Sequence, residues 1–120
     1  MDNKNFENNF LSSLKYNKEE CINIIENNEN IIKEKYDENC SNESLSKFVE
    51  CINKVILENE IDFNLFQKVL NHHLFSNIYS KFKFSDILIE ACKKEKVNTI
   101  YWLVSINVDV NLTDKMKKLL

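Results

Sequence analysis

Asp86-Ile87-Leu88-Ile89-Glu90-Ala91-Cys92, then Lys93-Lys94-Glu95-Lys96, then Val97 through Val104 is the stretch that decides the fold. In its first part the apolar and small residues Ile87, Leu88, Ala91 and Cys92 recur at the spacing of one helix face. In its last part Ile100, Leu103 and Val104 do the same. The four residues between are all charged, which suits a solvated turn. The pattern predicts two short helices folded back on one another, with Ala91 small because the helices approach closely there. Trp102 is expected to pack inward and Tyr101 to face solvent. Ser85, just before Asp86, fits a helix N-cap followed by an acid in the first turn.

The same residues resemble an ankyrin repeat, whose opening is usually written T-P-L-H-x-A. Leu88 and Ala91 fall on the Leu and Ala of that pattern. Val97 through Val104 falls on the second helix. Asn107-Val108-Asp109-Val110-Asn111 matches the G-A-D-V-N that closes a repeat, and Leu112-Thr113-Asp114 continues in register into the next loop. Asn111 and Asp114 have short polar side chains that can hydrogen-bond the backbone of a turn. The chain departs from the pattern at four places. Asp86-Ile87 stands for the T-P pair, Ile89 for the His, Glu95 for the inter-helix Gly, and Asn107 for the Gly before A-D-V-N. Asn tolerates a left-handed backbone at moderate cost, whereas Glu is worse.

Outward from this stretch the helical spacing continues toward the N-terminus. Phe6, Phe10, Leu11 and Leu14 form one stripe, and Cys21, Ile22, Ile24, Ile25, Ile31 and Ile32 a second. Leu45, Phe48, Val49, Ile52, Val55 and Ile56 form a third, and Leu65, Phe66, Val69, Leu70, Leu74 and Phe75 a fourth. Polar breaks are predicted near Asn17, at 27–30, 37–43, 59–62, 76–85, 95–98 and 105–114. Strand-like alternation appears only briefly, at 106–110. The helices should therefore run about 8–14 residues, with short connections. Two faint internal echoes occur. Residues 55–64 resemble 102–111, and the stretch from Phe10 to Ile25 has the two-helix layout of the C-terminal pair. Their offsets of 47 and 78 are not multiples of the 33-residue ankyrin period.

Composition narrows the function. The 120 residues include no Gly, no Pro and no Arg, but 19 Asn. This is the usage that AT-rich codons produce, yet it has physical consequences. Without Gly, Asn is the expected occupant of left-handed caps. Without Gly-containing hairpins, a sheet is disfavoured. A Gly-rich phosphate-binding loop is excluded. The net charge is −3, with Lys concentrated at 81–120 (8 Lys against 5 acids) and acids at 1–80 (14 against 8 Lys). Lys81, Lys83, Lys93, Lys94, Lys96, Lys115, Lys117 and Lys118, with Tyr79, Phe82 and Phe84 between them, could form a basic face. Absence of Arg removes bidentate base reading, and an acidic chain is a poor nucleic-acid binder.

Catalytic and metal chemistry finds little support. Cys21, Cys40, Cys51 and Cys92 have none of the spacings of a zinc site. His72 and His73 are adjacent, so on a helix their side chains diverge by about 100°. Cys21, Cys51 and Cys92 each fall within an apolar stripe, where a buried thiol is ordinary packing. There is no N-terminal apolar segment of a secretory signal, and no apolar run reaches the roughly 18 residues needed to span a bilayer. These features predict an intracellular protein with reduced thiols, no cofactor, no metal and no small-molecule substrate.

The expected fold is all-α, built of stacked antiparallel helix-turn-helix pairs as in an ankyrin-like solenoid. Residues 1–80 should form a divergent helical region, and 81–120 an ankyrin-type repeat with the start of a following one. Leu119-Leu120 reaches the opening of that next unit, which predicts a longer parent chain or a truncated stack. The resemblance implies a non-catalytic scaffold that binds an as yet unidentified protein. It points to Glu90, Lys93 and Lys94 on the first helix, and to Thr113, Lys115, Met116 and Lys117 at the loop tip, as partner-binding residues. Two alternatives are a small helical adaptor unrelated to ankyrin and a weak nucleic-acid binder acting through the Lys-rich face.

Overall fold

The computed structural model describes residues 3–36 and 42–106. Every regular element among them is helical, so the chain is all-α over that span. Two compact units divide it, Met1–Phe82 and Lys83–Leu120.

The first unit begins with α1 (Asn3–Lys15), α2 (Glu20–Asn27) and α3 (Glu29–Lys35). Phe6, Phe10, Ser13 and Leu14 are the buried face of α1, and Cys21 and Ile25 that of α2. The chain reverses between them at Asn17, whose φ of 57° is left-handed. Two backbone bonds close the helix end there. The Lys18 amide donates to the Ser13 carbonyl at 2.9 Å, and the Asn17 amide donates to the Leu14 carbonyl at 3.1 Å. This is the arrangement that satisfies the last carbonyls of a helix, usually with Gly at the left-handed position. Asn28 then separates α2 from α3, and its amide side chain donates to the Ile24 carbonyl at 2.7 Å.

Further along run α4 (Asn42–Glu58), α5 (Phe63–Leu70), a 3-10 turn (His73–Phe75) and α6 (Ser76–Tyr79). At 17 residues α4 exceeds the length expected from the sequence, and at 4 residues α6 falls short of it. Its stripe of Leu45, Phe48, Val49, Ile52 and Ile56 is buried. Cys51 is not part of that stripe and is exposed, which corrects the expectation of a packed thiol. The buried face runs through Ile52, and adjacent helical residues point about 100° apart. Asp62 caps α5 by accepting from the Asn64 and Leu65 amides at 3.0 and 3.3 Å.

An aromatic cluster lies within the core of this unit. Phe48 lies 5.1–6.4 Å, centroid to centroid, from Tyr36, Phe10, Phe6 and Phe75. Such pairs add a contribution beyond area burial alone. Tyr36 keeps its hydroxyl satisfied by donating to Glu7 Oε1 at 2.8 Å. Burial, and then that hydrogen bond, push the phenol well above its ordinary value.

The second unit contains α7 (Phe84–Lys93) and α8 (Val97–Ser105). The helix begins at Phe84, so Ser85 lies inside its first turn and is not the cap. The Lys83 carbonyl instead accepts from the Asp86 and Ile87 amides at 3.0 and 3.2 Å. Phe84 meets Trp102 edge-on at 6.0 Å, which brings the start of α7 to the end of α8 and makes the pair antiparallel. Ile87, Leu88, Ala91 and Cys92 of α7 and Thr99, Trp102 and Leu103 of α8 are all buried, and the two helices pack on one another. Ala91 is fully buried, as close helix approach requires. Tyr101, by contrast, is 70% exposed.

Candidate recognition surface

The turn that presents the candidate residues is built like the one at Asn17. Glu95 has φ 57°, the same left-handed value. The Lys96 amide donates to the Ala91 carbonyl at 2.9 Å, and the Glu95 amide to the Cys92 carbonyl at 3.2 Å. Residue for residue, 78 positions apart, these are the bonds of the first turn. The buried positions also correspond: Phe10 with Leu88, Ser13 with Ala91, Cys21 with Thr99, Ile25 with Leu103. Asn was expected to take the left-handed positions of a Gly-free chain. It does so at Asn17, but at the second turn Glu95 does.

Glu90, Lys93 and Lys94 lie at the C-terminal end of α7, at the i, i+3, i+4 spacing that shares one face. Lys93 Nζ is 3.4 Å from Glu90 Oε1, with both side chains close to half exposed. In water such a pair contributes little to stability and remains available at a rim. Lys94 is exposed at the end of the helix. Thr113, Lys115, Met116 and Lys117 lie outside the described residues.

His72 and His73 do not share a helix: His72 lies between α5 and the 3-10 turn that His73 opens. The chain leaves α5 at Asn71, His72 is extended, and the two imidazoles stack at 4.7 Å. His72 Nδ1 accepts from the Leu74 amide at 3.2 Å, and Nε2 lies 3.6 Å from Glu26 Oε1. A shallow concavity lined by Glu26, Glu29, His72, His73 and Leu74 opens beside them. Among the described residues no group of three or more His, Cys, Asp or Glu is arranged to hold a metal ion. Burial pushes the Cys21 thiol up to about 11 and the Cys92 thiol in the same direction, so both are protonated near neutral pH and are poor nucleophiles.

Val97, Tyr101 and Val104 are 54%, 70% and 44% exposed and follow one another at i, i+4, i+7 along α8. The spacing of Ile100, Leu103 and Val104 predicts an inward Val104, and the structure exposes it instead. The signal was available: none of the nine residues of α8 is charged, although a helix with a solvated face normally carries charge there. No family model matches the chain, nor does any curated protein or solved structure. Among the described residues no helix is long and apolar enough to cross a membrane.

Proposed function

We propose that the chain is a non-catalytic, intracellular protein-recognition module of ankyrin-like construction, in which helical hairpins present side chains to a protein partner. The observation that carries this reading is the recurrence of one hairpin design. The left-handed turn, its two closing hydrogen bonds and the small buried residue before it all appear at Asn17 and again at Glu95. Repeated hairpins with a shared turn are how stacked-repeat proteins extend a surface. The ankyrin assignment itself rests on Leu88, Ala91 and the 107–111 sequence. Glu90, Lys93 and Lys94 contribute surface complementarity and rim charge, not chemistry. Thr113, Lys115, Met116 and Lys117 are proposed for the same role from the sequence pattern.

The test is affinity capture with the full chain, run in parallel with a Glu90→Lys, Lys93→Glu, Lys94→Glu variant. A partner retained by the native chain and lost by the variant supports the reading. Equal retention by both moves the site off this turn. Salt-dependent retention of the chain on immobilised polyanion, persisting to high ionic strength, would replace a protein partner with nucleic acid.

A further inference from the structure

We propose that the His72 imidazole is an acid-sensitive cap, which closes the turn after α5 when neutral and releases it when protonated. The device lies in the first unit and does not depend on partner recognition at the α7–α8 turn. It begins with a single lone pair. His72 Nδ1 accepts from the Leu74 amide at 3.2 Å, so in the closed turn Nδ1 carries no proton. A neutral imidazole has one nitrogen that accepts and one that donates, and the donor here is therefore Nε2. A protonated imidazole donates from both nitrogens and accepts at neither. A second proton on this ring has only Nδ1 to go to, where it meets the Leu74 N–H. Proton and cap compete for the same electron pair.

Another cap in the first unit supplies an internal control. Asp62, ahead of α5, accepts from the Asn64 amide at 3.0 Å, also two residues along the chain. A carboxyl group keeps an accepting oxygen in either protonation state. Asp62 and His72 thus make the same local bond, but a proton cancels the one at His72. Ser, Thr, Asp and Asn are the usual residues at a cap. Imidazole differs from all four in changing its charge between about pH 5 and 8.

The surroundings offer the protonated ring a second partner. Nε2 lies 3.6 Å from Glu26 Oε1 of α2, too long for a hydrogen bond but within reach of an ion pair. With the His72 side chain only 13% exposed, the ring cannot give up the Leu74 amide to water without moving. From α3, Glu29 lines the same concavity, its carboxylate 3.1 Å from Lys33 Nζ. Beside the two rings, α5 and α6 bring up Leu70, Asn71, Ser76 and Tyr79, the phenol being the ionisable group among these four. The His73 ring stacks on His72 at 4.7 Å, and two charged rings at that distance repel. Acid therefore removes the Leu74 bond, opposes the stack and strengthens the pull of Glu26. The ring turns toward α2, and the 3-10 turn that carries Leu74 into the wall of the concavity loosens.

Proton–nitrogen NMR spectra of the full chain, recorded between about pH 8 and 5, test this. The Leu74 amide should shift along a one-proton curve that coincides with the curve of the His72 ring carbons. Its protection against hydrogen exchange, corrected for the intrinsic rate, should fall roughly fivefold, the change in population that one cap carries. The Asn64 amide, held by Asp62, should stay level through the same range. His72→Asn, which can cap but cannot take a proton, should make Leu74 level as well. His73→Gln should leave the Leu74 curve in place. A Leu74 amide that stays level in the native chain overturns the proposal, whether or not the ring titrates, and that outcome needs no variant to fold. A Leu74 curve that survives in His72→Asn, or vanishes in His73→Gln, overturns it too, by assigning the response to another group.

Discussion

In the α1–α2 hairpin the left-handed turn residue is Asn17; in the α7–α8 hairpin it is Glu95. The backbone hydrogen bonds around the two are the same, but the surroundings are not. Asn17 reaches across to the α4–α5 connection, donating to the Glu60 carbonyl at 3.0 Å and accepting from the Asp62 amide at 2.8 Å. Its side chain thus joins two turns of the first unit. Glu95 is exposed, and its carboxylate is too long to serve a left-handed backbone locally. The cores differ as well. Phe10 of the first hairpin enters the aromatic cluster around Phe48, whereas its counterpart, the buried Leu88, has no ring to contribute. One turn design therefore serves two different tasks, internal cross-linking in the first unit and presentation of a charged loop in the second.

The largest expected effect tests whether close helix approach is common to both hairpins. Ala91→Lys forces a long charged side chain into a fully buried site between α7 and α8. Burying an unpaired charge costs several kcal/mol, enough to abolish a small helical unit. Trp102 is the single tryptophan and is buried in that unit, so its fluorescence reads the outcome directly. A red-shifted, solvent-exposed emission is expected. Native emission with an unchanged melt would mean that the two helices are not closely packed at Ala91, and the likeness of the two hairpins would fail.

How much of this was legible beforehand depends on what kind of force decided each feature. The helical hairpin at 86–105 was readable because apolar periodicity and a run of four charges fix it locally. The breaks at Asn17, 27–30 and 59–62 were readable for the same reason. The helix start at Phe84 was not, because packing against Trp102 overrides the Ser85 capping signal. Neither was the stacked His72–His73 pair, which depends on the chain leaving α5 at Asn71. Val104 shows the limit most clearly. Periodicity places two adjacent apolar residues, Leu103 and Val104, on one broad face, and only three-dimensional packing decides that Leu103 is inside and Val104 outside.

A smaller effect appears as the pH is raised. Burial pushes the Cys21 thiol from 9.0 up to about 11, and burial together with the Glu7 hydrogen bond raises the Tyr36 phenol. Both groups are held neutral in the folded first unit and ionise more readily when unfolded. Their contribution is complete below pH 9 and is lost as pH rises, first through Cys21 between 9.0 and about 11 and then through Tyr36. In the second unit burial raises the Cys92 thiol. The melting temperature by circular dichroism should therefore fall above pH 9. The Cys21→Ala, Tyr36→Phe double variant should show a flatter decline from a lower starting point. An equally steep decline in that variant would assign the alkaline sensitivity to other groups.

The smallest effect bears most directly on the comparison, because one substitution should act with opposite signs at the two turns. A left-handed backbone costs an ordinary L-residue about 1–2 kcal/mol, and Gly removes that cost while giving up roughly 0.5–1 kcal/mol of unfolded-chain entropy. Glu95→Gly loses no contact that supports the hairpin, so it should stabilise the protein by about 0.5–1 kcal/mol. Asn17→Gly starts from a residue already tolerant of this conformation, so the backbone gain is small. It also deletes two hydrogen bonds to the α4–α5 connection. Each contributes about 1 kcal/mol at most in so exposed a setting, and the variant should be destabilised by about 1 kcal/mol. Urea unfolding of the two variants, at unchanged slope, measures both. Stabilisation by both would mean that the Asn17 bridge contributes nothing beyond its turn. Destabilisation by both would mean that the Glu95 side chain does more in the hairpin than its exposure indicates, and the two turns would then be alike in role as well as in geometry.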